Sequence, residues 1–291
     1  MDIDWHAHQR WVTVAGQAVN LVECAPEGPD AGLATLEPVV LVHGLSGSWP
    51  NWLEQLPVLG AERRVIAMDL PGFGHSPMPT EEISIAGYAR LLDGLMGELG
   101  IDAAAVVGNS MGGFIAAELA IAFPQRVERL VLVSAAGIST TEARGPVRAV
   151  PAIRRLETTL AATGAWVASK SDSAARRARL REALLNVVVA HPSRLPPALA
   201  AEQLRGAGKP GFLQGLQAVL YYDVRERLPE IACPTLIVWG DRDRLIPVHD
   251  ADVFAELIPN SRKVVFADTG HMAMLERPAA FNALLEEFLA E

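Results

Sequence analysis

A serine, an aspartate and a histidine, each in a loop of its own, carry the chemistry this chain could do. Ser110 sits in Gly108-x-Ser110-x-Gly112, between the apolar run Ala103 to Val107 and a helix-forming stretch from Phe114 to Ala120 that ends before Pro124. Strand, sharp turn and helix in that order hold a serine as an exposed nucleophile. The flanking glycines supply space, because the nucleophile's backbone is strained and side chains at 108 and 112 would clash with the neighbouring strand and helix. A serine hydroxyl is a weak nucleophile at neutral pH and needs an adjacent base. A histidine oriented by a buried carboxylate meets that need. His271 follows the apolar run Lys263 to Phe266, and Asp243 follows Thr235 to Trp239. Asp241 is a second carboxylate in the same loop as Asp243, and Asp268 precedes His271 in its loop.

The elements that must position these residues alternate. Gln9 to Val14 and Ala18 to Glu23 read as a hairpin around Gly16-Gln17 at a sheet edge, followed by a Pro- and Gly-rich loop from Cys24 to Pro38. Val39 to Val42 is a continuous apolar strand running into His43-Gly44-Leu45-Ser46-Gly47-Ser48. Residues 51 to 60 read as a short helix, Arg64 to Met68 as a strand ending at Asp69 to Ser76, and Ile85 to Leu99 as an amphipathic helix. Arg129 to Val133 is another buried strand. Buried strands alternating with helices predict an α/β fold with a mainly parallel sheet, whose functional loops gather at the carboxyl ends of the strands. His43-Gly44, Asp69 to Ser76 and Ser110 each fall at such an end.

From Ile138 to Arg227 no buried strand is legible. Arg154 to Ala162, Ala174 to Val189 and Phe212 to Tyr222 read as helices, with Pro146, Pro151, Pro192, Pro196, Pro197 and Pro210 as punctuation. We expect a core domain from residues 1–137 and 228–291 and a helical insertion over 138–227. Trp166, Leu185, Phe212, Leu216 and Tyr221 are the insertion's candidates for lining an apolar cavity, as against ordinary packing. The strand pattern returns at Thr235 and Lys263, and a helix from Pro278 to Leu289 closes the chain.

Composition bounds the rest. The 291 residues are half hydrophobic, enough for one large core. A net charge of −9, without a basic block, argues against nucleic acid or an anionic membrane surface as partner. Cys24 and Cys233 are the two cysteines, too few for a disulfide framework and expected as small buried side chains. The segment from Met1 to Trp5 is acidic and lacks an apolar h-region, so no signal peptide is expected, and no apolar run is long enough to span a membrane. The expected location is the cytoplasm. The histidines and carboxylates lack metal-ligand spacing, and the turn at Asp69 lacks a phosphate-binding pattern, so neither a metal nor another cofactor is expected. His43 and His75 read as structural histidines and His249 as a surface one. Oligomeric state is not written in the sequence.

Five stretches together carry a resemblance: His43-Gly44 after a strand, Asp69-x-Pro71-Gly72-x-Gly74-x-Ser76, Gly108-Asn109-Ser110-Met111-Gly112-Gly113, Gly240-x-x-Asp243-x-x-x-Pro247 and Gly270-His271. In this order they resemble the α/β-hydrolase-fold serine hydrolases with an inserted helical cap, in the branch of carboxylesterases, C–C-bond hydrolases and cofactor-free haloperoxidases. The resemblance covers nearly the whole chain and is weakest between 138 and 227. It implies Ser110 as nucleophile, Asp243 rather than Asp241 as acid, and His271 as base. It also implies an oxyanion hole from the backbone N–H groups of Leu45 and Met111. Serine at 110 argues against the relatives that open epoxides or displace halide, which use an aspartate there, and favours acyl transfer. The implied activity is hydrolysis of a small hydrophobic carboxylic ester. C–C-bond cleavage of a vinylogous diketone is the alternative; its usual His-Gly-x-Gly-Pro-Gly loop and aromatic after the histidine are replaced by Leu45-Ser46-Gly47-Ser48 and Met272-Ala273-Met274. Perhydrolysis or halogenation, and ligand binding without catalysis, are the other readings.

Overall fold

The structure is a computed structural model and describes residues 4–26, 36–142, 166–167, 169–206 and 208–291. Eight strands, β1 (Gln9–Val14), β2 (Gln17–Cys24), β3 (Val39–Val42), β4 (Val65–Met68), β5 (Ala104–Asn109), β6 (Val127–Val133), β7 (Thr235–Gly240) and β8 (Ser261–Phe266), build one sheet. Their order is β1-β2-β4-β3-β5-β6-β7-β8. The predicted α/β fold with a mainly parallel sheet is what the chain adopts: from β4 to β8 every pairing is parallel, and the β1–β2 hairpin joins β4 antiparallel at one edge. The hairpin turn is Ala15-Gly16, one residue earlier than read from the sequence. Both residues have positive φ, 47° and 86°, which matches the twist of the flanking strands.

Strands β3, β4, β5 and β7 are buried along their whole length. Alternate residues feed two apolar layers, one on each face: Val106 packs in one and Val107 in the other. This is why these strands read as continuous apolar runs rather than alternating ones. The helices Ile85–Glu98 and Met111–Ala122 cover one face, the first started by Ser84, whose hydroxyl accepts from the Gly87 N–H. The helix Pro278–Ala290 covers the other. The helix expected over 51–60 is instead a 3-10 turn, Trp49–Trp52, and a short helix, Leu56–Leu59. Pro57 has no N–H to continue a helix through that point.

Between β6 and β7 the described residues form helices and no strand. The helix expected from Ala174 to Val189 is two, Ser171–Arg176 and Ala178–Leu185, separated at Arg177 by extended backbone. A helix at Pro197–Arg205 was hidden by its prolines, which stand at its N-terminus, where a missing N–H costs nothing. The helix at Phe212–Tyr221 forms as read. The expected helix Arg154 to Ala162 lies outside the described residues, as do Pro146, Pro151 and most of the loop after Cys24. The segment is seated on the loops at the strand ends: Gly211 N–H donates to the Gly72 carbonyl at 2.9 Å, and Lys209 Nζ to that of Gly74 at 2.9 Å. Two further helices, His249–Leu257 and Ala273–Glu276, were not read from the sequence. Cys24 and Cys233 are free and half-buried rather than fully buried, and burial pushes both thiols up. Among the described residues no helix is long and apolar enough to cross a membrane.

Candidate active site

The register of the parallel strands determines what meets at their carboxyl ends. Val42 lies opposite Gly108, Asn109 opposite Val133, Val133 opposite Val238, and Gly240 opposite Phe266. The loops after β3, β5, β7 and β8 therefore leave the sheet side by side. The chain winds from β3 to β4 on one side and returns to β5 on the other, so the crevice between the loops after β3 and β5 is a topological switch point, where α/β sheets bind ligands.

Ser110 stands in that crevice at φ 55° and ψ −118°, a conformation that costs roughly 1–3 kcal/mol and persists only where the surroundings over-determine it. They do so here. Its N–H donates to the Val133 carbonyl, and its own carbonyl accepts from Phe114 and Ala136. The flanking glycines are required by close approach: a Cβ on Gly108 would sit 2.2 Å from the Gly112 carbonyl oxygen, and one on Gly112 would sit 2.2 Å from that of Val42. A Cβ on Gly44 would come within 2.9 Å of the Ser110 Cβ, so the His43-Gly44-Leu45 loop lies directly against the serine.

Asp243 and His271 meet behind it. His271 Nδ1 and Asp243 Oδ2 are 2.7 Å apart, with both side chains buried. Oδ1 of Asp243 accepts from the N–H groups of Leu245 and Ile246, each at 2.9 Å. A carboxylate only accepts, so the bond fixes the imidazole proton on Nδ1 and leaves the Nε2 lone pair for a proton. Nε2 is buried without a hydrogen-bond partner, and His271 shares a cavity wall with Ser110. Asp241 takes another part: its Oδ1 accepts from the Thr269 N–H at 3.2 Å, joining the two loops. Asp268 faces away, toward His191, Arg194, Arg242 and Arg277, and shapes the loop's outer side.

The cavity holds about 350 Å³. Leu45 and Met111 both border it. Met111 is the first residue of its helix, so its N–H has no acceptor within the helix and lies at the positive end of the helix dipole. Phe212, Leu216 and Leu185 form part of the wall. Trp166 and Tyr221 do not border it. Each is 62% exposed, Tyr221 because it ends its helix on the solvent side. Among the described residues the lining includes no lysine, arginine, aspartate or glutamate.

The alpha/beta hydrolase fold family matches residues 37–278. The chain belongs to that family. Among curated relatives of this α/β hydrolase, the 2-hydroxymuconate semialdehyde hydrolase of Pseudomonas sp. is 31% identical over 87% of the chain and 87% of its own length. The dihydrolipoyllysine-residue acetyltransferase component of the acetoin cleaving system of Cupriavidus necator is 33% identical over 87% of the chain, which spans 63% of that protein. Among solved structures, an N-acyl homoserine lactone degrading enzyme superposes with a TM-score of 0.73 at 26% identity, over 96% of the chain and 100% of its own.

Three residues that sequence reasoning left without a role also shape the hydrolase's site. Asn109 borders the cavity and donates from Nδ2 to the carbonyls of Val133 and His271, tying the serine turn to the histidine loop. Its place beside Ser110 was the available signal. Asn51 and Gln203 add neutral polar groups to the wall from distant segments, with no motif to announce them. His43 is fully buried: Nε2 accepts from the Leu70 N–H at 2.9 Å, and Nδ1 therefore donates to the Gly44 carbonyl at 2.7 Å. Burial holds its pKa below the ordinary histidine value. His75 and His249 are mostly exposed.

Proposed function

We propose that this protein is a serine hydrolase of neutral carboxylic esters. Ser110 Oγ attacks the ester carbonyl while His271 Nε2 takes its proton. The negative oxygen of the tetrahedral intermediate is held by the N–H groups of Leu45 and Met111. His271 then returns the proton to the departing alcohol, leaving an acyl-Ser110. Water, deprotonated by His271, releases the acid and restores the serine. Asp243 keeps the imidazole in the tautomer this needs and stabilises its charged form. Preorganised donors at the developing oxyanion supply a large part of such a rate, on the order of 10²–10³ per donor.

The observation that carries the proposal is Ser110 at a strained turn, sharing a cavity with a histidine whose far nitrogen is held by Asp243. The helical segment between β6 and β7 contributes Leu185, Phe212 and Leu216 to the wall, and we assign it the part of a cap that selects the acyl and alcohol groups. The absence of charge in the described lining favours an uncharged substrate over an anionic one, because an unpaired buried carboxylate is costly. C–C-bond hydrolysis is the second reading, favoured by the 31% identity to a hydrolase named for a muconate semialdehyde. Steady-state turnover of neutral p-nitrophenyl esters against an anionic vinylogous diketone separates the two. The ester reading expects the ester to be cleaved with the larger kcat/KM. Preference for the diketone would replace it with the second reading.

A further inference from the structure

Glu276 lies outside the cavity, yet it grips the histidine loop at the residue before His271. Its Oε1 accepts from the Gly270 N–H at 2.9 Å. Oε2 accepts from the Ala190 N–H at 2.8 Å. The N–H of His271 itself donates to the Val188 carbonyl at 3.1 Å. One carboxylate thus joins Gly270 to Ala190, in the segment between β6 and β7. Val188 is also part of the cavity wall. Hydrogen bonds to an ionised acceptor are about twice as strong as neutral ones, and this acceptor is partly buried.

We propose that Glu276 is a positioning residue. Its carboxylate fixes the backbone around His271 against the 188–190 segment, so the base and that part of the cavity wall are held as one unit. A further side-chain link between the same regions is the pairing of Asp268 with His191 and Arg194, in a cluster that also holds Arg242 and Arg277. That cluster is a third or more exposed at Asp268, where solvent screens such pairs and each contributes little. Glu276 bonds backbone N–H groups instead, next to the catalytic imidazole and along a geometry that a side-chain swing cannot replace.

This inference rests on His271 acting as the base. It is tested with Glu276→Gln, which keeps the shape and one acceptor oxygen, and Glu276→Ala, which removes both. With p-nitrophenyl acetate, kcat per folded molecule should fall roughly tenfold or more in the alanine variant and less in the glutamine variant, as expected of a misaligned catalytic group. KM should stay within about twofold, because the substrate-binding wall keeps its side chains. The downfield proton resonance of His271 Nδ1–H should shift or broaden in Glu276→Ala. Unchanged kcat per folded molecule with an unchanged resonance, or a loss of activity that only tracks loss of folded protein, would overturn the positioning role. An inert wild-type protein would instead remove the hydrolase reading itself, so the two failures are distinguishable.

Discussion

Asp243 spends its carboxylate in three directions, one oxygen on the imidazole and the other on two backbone N–H groups. In Asp243→Asn the amide oxygen can keep the backbone bonds, while the amide N–H group faces His271 Nδ1 and forces the wrong tautomer. We expect kcat to drop by about 10³–10⁴ with a nearly unchanged melting temperature. Comparable losses of both would mean that the aspartate serves folding first. His43 makes the opposite case, a buried histidine whose two nitrogens are both used by the backbone. His43→Phe leaves the Leu70 N–H unpaired, while the Gly44 carbonyl keeps the Gly47 N–H, and should cost about 1–3 kcal/mol, read from denaturant unfolding. The pH dependence follows from the same site. Burial lowers the folded pKa of His43, so below about 6.5 the unfolded chain binds a proton that the folded chain refuses. The contribution of His43 to stability is full above that pH and declines as pH falls toward the folded pKa. Wild type should show this acid-side slope and His43→Phe should lack it.

At the scale of elements, the serine turn works because backbone passes close to backbone. Gly112→Ala would place a methyl 2.2 Å from the Val42 carbonyl oxygen. Overpacking of this kind typically costs about 1–3 kcal/mol, and here it also pushes the Met111 N–H away from the crevice. We expect a lower melting temperature and a fall in kcat together; a wild-type rate would show that the turn tolerates displacement. The parallel sheet, the Ser110 turn and the loops of Asp243 and His271 were legible because each depends on a local signal, an apolar run followed by a polar or glycine-rich loop. The helix Pro197–Arg205 was illegible because proline marks both a break and a helix start. The true wall of the cavity was only partly legible. Phe212 and Leu216 face inward and Tyr221, on the same helix, does not, a distinction set by how the helix docks rather than by its composition. Glu276 was illegible because its partners are backbone N–H groups, one of them from the segment between β6 and β7.

For the whole molecule, the loops at the strand ends carry Ser110, Asp243 and His271, and the segment between β6 and β7 supplies much of the apolar wall. Enlarging the cavity from that segment should therefore change selectivity more than chemistry. Leu216→Ala is expected to shift relative kcat/KM toward bulkier esters while leaving p-nitrophenyl acetate within about threefold, since a methylene or two in an apolar pocket is worth only about 1–3 kcal/mol of discrimination. Equal losses for large and small esters would count against a selecting role. The central claim, that Ser110 is the nucleophile of an acyl-transfer site, is tested most directly by reaction with a fluorophosphonate followed by peptide mapping. The account predicts one phosphonyl adduct, located on Ser110, abolished in Ser110→Ala together with esterase turnover. An adduct on another residue, or full turnover in Ser110→Ala, would contradict it.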